Sequence, residues 1–273
     1  MPPTSKQTLC FQDVLRNTSN DEEDGIANCF FELANARKIT YQISKAHEIT
    51  IKQDVSACLN HTGGIVWETS YLLLNYLRAT SHSCERLLEL GAGCGLVGLG
   101  VHRTGNISKQ VYVTETHDVM SNLFKNWRRN YSKVERSDPS LCVCELDWNN
   151  HRQHCKEAQI SKHSIDTIIG TDVVFATQLV EPLLKTMRFL AHENTVAYLC
   201  LQERCKDSHQ LLIDKAKDYD FNIKDISTRF NSLPSCQWGK DLDCCLLKFT
   251  VVVKDRKNKR KRHRVEKCEI AFK

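Results

Sequence analysis

Between Arg86 and Gly98 the chain reads Arg-Leu-Leu-Glu-Leu-Gly-Ala-Gly-Cys-Gly-Leu-Val-Gly. An apolar run stops at a glycine cluster, and helical spacing begins immediately after it. That order describes a buried strand, a tight turn and a helix start. Glycines at such a turn let backbone approach a ligand where a Cβ would clash. Twenty residues beyond Gly95, Glu115 closes a second apolar run, Val111-Tyr112-Val113-Thr114. An acid at the end of the second strand can hold ribose hydroxyls. The pair predicts a nucleoside-binding βαβ unit.

Two nucleosides suit such a unit. Gly93-Cys94-Gly95-Leu96-Val97-Gly98 fits the dinucleotide pattern G-x-G-x-x-G, which alone does not separate NAD from S-adenosyl-L-methionine. Glu89, two residues before the first glycine, is expected at the mouth of the turn. A carboxylate there would repel a pyrophosphate but not the ammonium and sulfonium of the methyl donor. A glycine turn with no ligand is the plain alternative.

With 41% hydrophobic and 26% charged residues the composition is that of a globular domain. No apolar run reaches membrane-spanning length, and Met1-Pro2-Pro3-Thr4 lacks the apolar core of a secretory signal. The fourteen cysteines are scattered without a C-x-x-C pair. They are expected to be reduced, mostly buried thiols, without a metal site, in a cytoplasmic or nuclear protein. The net charge of +5 is uneven. Lys254 to Lys267 holds nine Lys/Arg and two acids, a net of +7, which leaves −2 for the remainder.

Residues 1–28, with the acidic run Asp21-Glu22-Glu23-Asp24, are expected to be weakly ordered. Residues 29–60 should form a β appendage from short strands at Phe30–Leu33, Ile39–Ile43 and Ile49–Ile51. Tyr71, Leu74 and Leu77 mark a helix over 68–77, expected on the sheet edge. Strands at 111–115, 141–146, 167–171, 195–201, 221–223 and 244–253 alternate with helices near 118–130, 180–190 and 207–219. This order predicts an α/β domain over 61–253 with a mostly parallel sheet, and a basic tail over 254–273.

Several motifs fall into one order: Gly64-x-x-Trp67, the glycine turn from Leu87 to Gly98, Thr114-Glu115, Leu146-Asp147-Trp148 and Gly170-Thr171-Asp172-Val173-Val174-Phe175. Together they resemble the seven-β-strand protein-lysine methyltransferases, which act on Hsp70 chaperones, valosin-containing protein and elongation factors. His47 to Asp54 also resembles the stretch before the cofactor domain in the Hsp70-type members. The likeness covers about 47–205 clearly. It implies a Rossmann-like seven-stranded class I methyltransferase sheet, helices on both faces, and a final antiparallel strand. It further implies S-adenosyl-L-methionine as cofactor, held by Trp67, Glu89, Gly91, Ala92, Gly93, Gly95, Glu115, Asp147, Trp148 and Thr171. Asp172 and Phe175 would line the lysine entrance as catalytic residues, and Arg204 would serve the substrate. Glu115 stands where Asp is commoner, and Phe175 where a tyrosine is common.

Plainer readings compete. Trp67 and Trp148 could be core aromatics, Asp172 a helix cap, and Arg204 a surface cation. The implied reaction is attack of a neutral lysine amine on the sulfonium methyl, with a protein partner and a monomeric enzyme. One rival is a nucleic-acid or small-molecule acceptor, which the basic tail invites. However, Asp172-Val173-Val174-Phe175 is not the Asn/Asp-Pro-Pro-aromatic of amino-methylating nucleic-acid enzymes. The other rival is a non-catalytic binding module.

Overall fold

A computed structural model describes residues 8–17, 25–55 and 62–253. The acidic run at 21–24, His61 and the basic tail lie outside the described residues. The central sheet holds seven strands: β4 (Cys84–Leu90), β5 (Ile107–Glu115), β6 (Leu141–Glu145), β7 (Ile165–Thr171), β8 (Ala191–Gln202), β9 (Phe221–Asp225) and β10 (Cys244–Val251). Their spatial order is β6-β5-β4-β7-β8-β10-β9. β4 pairs in parallel with β5 and β7, β5 with β6, and β7 with β8. β10 runs antiparallel to both β8 and β9. This is the Rossmann-like class I methyltransferase sheet that the resemblance implied.

Successive strand residues face opposite sides, and two separate cores result. Leu87, Val111, Val113, Ile169 and Cys200 point to one face, where α3 (Glu68–Ala79), α4 (Leu96–Thr104) and α5 (His117–Asn130) bury Tyr71, Leu99 and Leu123. Leu88, Leu90, Ile168, Leu199 and Leu201 point to the other. There α6 (His151–Glu157), α7 (Thr177–Leu190) and α8 (Lys206–Ala216) bury Cys155, Leu183 and Leu212. Among the described residues all twelve cysteines are free, and no helix is long and apolar enough to cross a membrane.

The N-terminal region differs from the sequence expectation in two places. Thr8–Cys10 forms β1 and Phe11–Asn17 forms α1, inside the stretch expected to be weakly ordered. Phe11 is buried and stacks on Tyr71 with ring centres 4.2 Å apart. Phe30–Leu33 is not a strand but part of α2 (Gly25–Asn35). Ile26, Cys29, Phe30 and Leu33 recur at helical spacing and pack into the core beside Phe11. β2 (Lys38–Gln42) and β3 (Glu48–Lys52) form the expected hairpin, and β1 adds in parallel to β2. A third difference concerns α3. It packs on α4 and over β7 and β8, not on the sheet edge, and Thr69 to Leu77 are all buried.

The outer edge of β3 is closed by helix side chains. Asn130 accepts from Thr50 N at 2.7 Å and donates to Thr50 O at 2.8 Å. Asn126 does the same for Lys52 N and O, at 2.8 and 3.0 Å. Four helical residues rise about 6 Å and two strand residues about 6.7 Å, so the spacings match. Gln53 completes the join. Its Oε1 accepts from Val66 N, and its Nε2 donates to Leu33 O and Ala36 O.

Candidate active site

β4 and β7 lie side by side but lead their chains in opposite directions across the sheet. Crevices for ligands form at such switch points, at the carboxyl ends of strands. Here a cavity of about 620 Å³ opens over the ends of β4, β5, β6 and β7, walled on its far side by Thr62 to Trp67.

The glycine turn forms its floor. Gly91 and Gly93 adopt φ of +64° and +53°, a region open chiefly to glycine. A Cβ on Gly91 would lie 2.9 Å from Val173 Cγ1 and 3.5 Å from the Trp148 ring. Ala92 N donates to Thr114 O, and Gly93 N donates to Glu115 Oε2 at 2.7 Å. The other oxygen of Glu115 accepts from Thr116 N. Asn126 reaches this turn as well, donating to Cys94 O at 3.1 Å. At one end of the cavity Asp147 caps a short turn, its Oδ1 accepting from Asn149 N, while His154 Nδ1 accepts from Asp147 N. Half-buried Trp148 follows.

At the opposite end stand Trp67, Thr171, Asp172 and Phe175. Thr171 is tied to α3 through the Ser70 hydroxyl at 3.0 Å. Asp172 has φ +50° and does not cap α7, whose N-cap is Ala176. Its Oδ1 accepts from Gln202 N at 2.9 Å and its Oδ2 from Arg204 Nη2 at 3.0 Å. Phe175 is 42% exposed, at the rim. Among the described residues five carboxylates line the cavity, from Glu115, Asp118, Glu145, Asp147 and Asp172, and no lysine or arginine does.

Three expected site residues lie elsewhere. Glu89 is 1% exposed and does not line the cavity. Its Oε2 accepts from Gly98 N at 2.7 Å, beneath α4. Burial pushes its carboxyl up to about 8, against the pull of that hydrogen bond and with a smaller push from Glu115. Glu89 therefore does not meet a ligand, and the repulsion expected from it falls to the lining acids. Gly95, at φ +88°, starts α4, and a Cβ there would strike Leu123 Cδ1 at 2.5 Å. Its role is helix packing. Arg204 stands behind the wall, bonded to Glu68 and Asp172, and is neither in the cavity nor an isolated surface cation. Sequence reading missed Glu68, Asp118, Glu145 and Gly63. An acid next to Trp67 was the visible signal for Glu68.

The lysine methyltransferase family model matches residues 43–218. The chain belongs to that family. The chain is 28% identical over 182 residues to the protein N-lysine methyltransferase METTL21A of Xenopus tropicalis, covering 66% of this chain and 77% of the relative. It is 27% identical over 186 residues to the mouse protein-lysine methyltransferase METTL21E, covering 67% and 71%. The matched stretch spans from 60% to 77% of the length of such relatives. Among solved structures, the fibrillarin of Aeropyrum pernix with bound S-adenosyl-L-methionine aligns at a TM-score of 0.44, with 15% identity over 66% of this chain and 73% of that one.

The cleft fits S-adenosyl-L-methionine. Cavities for small molecules typically span about 300–1,000 Å³. The glycine cradle leaves room beside Gly93, where the nearest atom to a built Cβ is Gly63 O at 3.6 Å. The acidic lining favours a ligand with a sulfonium and an ammonium.

Proposed function

We propose that this chain transfers methyl from S-adenosyl-L-methionine to a lysine amine of a protein substrate, of the chaperone, AAA ATPase or elongation-factor type, as a monomer in cytoplasm and nucleus. The observation that carries this reading is the cleft itself. A glycine cradle is lined by five carboxylates and, among the described residues, by no lysine or arginine, and it opens beside Trp67, Asp172 and Phe175.

When bound, the donor supplies an electrophilic methyl on sulfur. The remaining chemistry belongs to the chain. Gly91, Ala92 and Gly93 would cradle the donor, Glu115 would bind the ribose, Asp147 and Trp148 would meet the adenine, and Thr171 would supply a backbone contact beside the methionine part. Trp67 would lie near the donor's methionine end, and Asp172 and Phe175 would line the lysine entrance. Lysine is protonated at neutral pH, with a reference pKa near 10.4. Its proton must leave before Nζ attacks in line, forming the N–C bond as the C–S bond breaks and its electron pair stays on sulfur. Phe175 offers an apolar rim that disfavours the charged amine. Asp172 would orient the acceptor.

Isothermal titration with S-adenosyl-L-methionine tests the first half. Incubation with labelled donor and a cell extract, followed by mass spectrometry of the labelled band, tests the second. Donor binding with label on lysine supports the reading. No donor binding, or label on nucleic acid only, overturns it. Asp172→Ala is expected to lower turnover more than donor affinity, and normal turnover would remove Asp172 from the mechanism. Phe175→Tyr should be tolerated.

A further inference from the structure

One guanidinium nitrogen, Arg204 Nη2, lies 3.0 Å from Asp172 Oδ2 and 3.0 Å from Glu68 Oε2. The guanidinium carbon sits 4.4 Å from the centre of the Trp67 ring. Of the three side chains, Asp172 keeps 6% of its surface exposed, Glu68 19% and Arg204 32%. Burial disfavours the Arg204 charge, yet Asp172 and Glu68 together hold it more firmly protonated than usual. The cluster carries two negative charges against one fixed positive charge. Arg204 stands directly behind Asp172 and Trp67, which both line the cleft.

We propose that Arg204 is a positioning residue for the acceptor: held by Glu68 and stacked on Trp67, its fixed charge occupies Asp172 so that lysine reaches the methyl group as the neutral amine. This rests on the lysine methyltransferase activity proposed above. Without Arg204, Asp172 in the cleft wall and Glu68 behind it would grip a lysine ammonium and keep its proton in place. That is unproductive, because the lone pair that must attack carbon is then bonded to hydrogen. A cation a few ångströms away acts in the opposite sense and favours loss of the proton. The proton passes to water at the open rim. Nζ then bonds the methyl carbon, sulfur keeps the electron pair of the broken bond, and the methylated ammonium returns its extra proton to solvent.

The surrounding groups leave few other sources for a pH effect. Tyr71 faces Glu68 from α3. Cys200 on β8 and Cys244 and Cys245 on β10 face Asp172. Burial raises all four, Cys245 to about 11, so each is neutral at pH 7. Exposed Glu203, Lys206 and Asp207 flank Arg204 in the chain. Cys205 is the exception. Hydrogen bonds from Ser208 pull its thiol down, so it must be tested separately.

The experiment measures initial rates of label transfer to the extract protein identified above, from pH 6 to 10, for the full-length enzyme and three variants. Donor affinity is titrated in parallel. Arg204→Gln should slow saturated transfer about tenfold at pH 7.5 and move the acid limb of the rate profile up by about one unit. It should also lower the apparent KM for acceptor, because the exposed carboxylates bind ammonium better. Arg204→Lys should restore the limb, Cys205→Ser should leave it in place, and donor affinity should stay within about threefold throughout. A slower Arg204→Gln enzyme with an unmoved limb, or with a higher KM, would overturn the proposal in favour of simple substrate contact or structural support. Wild-type enzyme that binds donor but labels no lysine would remove the activity on which the proposal stands. The parallel titration separates that failure from this one.

Discussion

At neutral pH the Glu89 carboxyl carries its proton, because burial under α4 lifts it from its ordinary value of 4.5 to about 8. Between those values the folded chain binds a proton that the unfolded chain has released. Stability should therefore be fully served below pH 4.5 and fall as pH rises toward 8, by up to about 1.4 kcal/mol per pH unit. Glu89→Gln keeps an acceptor for Gly98 N and cannot ionise. Urea denaturation at pH 5, 6.5 and 8 should show the slope shrink in that variant. Equal slopes would mean that the buried acid is already ionised. Across the cleft, Gly93→Arg places a side chain on a left-handed residue facing the ligand space, and should abolish donor binding. Glu115→Ala removes the acceptor of Gly93 N and the acid proposed for ribose, and should weaken donor binding by about 1–3 kcal/mol. Titration calorimetry reads both, and unchanged affinities would mean that the donor does not lie on this turn.

The N-terminal elements form part of the core that carries the sheet. Phe11 stacks on Tyr71 of α3 and also touches Phe30 and Trp238. Phe11→Ala should cost about 3–5 kcal/mol, read from the denaturation midpoint. A loss below about 1 kcal/mol would mean that α1 is only loosely docked. What could be read from the chain alone follows a physical division. β4, the glycine turn and the ends of β5 and β7 were legible because apolar runs and glycines act locally. α2 was legible in principle, through Ile26, Cys29, Phe30 and Leu33, but two adjacent phenylalanines also suit a strand. β5 begins at Ile107, before its apolar run, because Ser108 and Lys109 are exposed and need not be apolar. Glu68 was hidden by a sufficient simpler explanation, since acids are favoured in a first helical turn. Glu89 was misplaced because spacing gives the position of a residue along a strand but not the helix that lies over it. Asn126 and Asn130 had no sequence signal, since their strand partners stand 74 and 80 residues away.

Over the whole molecule, β10 ends at Val251, and Val252 N still donates to Asp220 O. Removal of residues 254–273 is therefore expected to leave donor affinity unchanged within about twofold. A large loss by calorimetry would place the end of the folded unit beyond Val253. The amide of Asn126 carries a different consequence. It bonds Lys52 of the N-terminal sheet and Cys94 of the glycine turn at once. Deuterium cannot reach the Lys52 amide until α5 lifts, and lifting α5 lets go of the turn. Donor at a hundred times its Kd stabilises the closed form by about 2.7 kcal/mol. Exchange at Thr50 and Lys52 should then slow about a hundredfold, while the hairpin tip at Ala46 and His47 keeps its rate. A small molecule seated on one sheet would in this way set the clock for proton traffic at the edge of another.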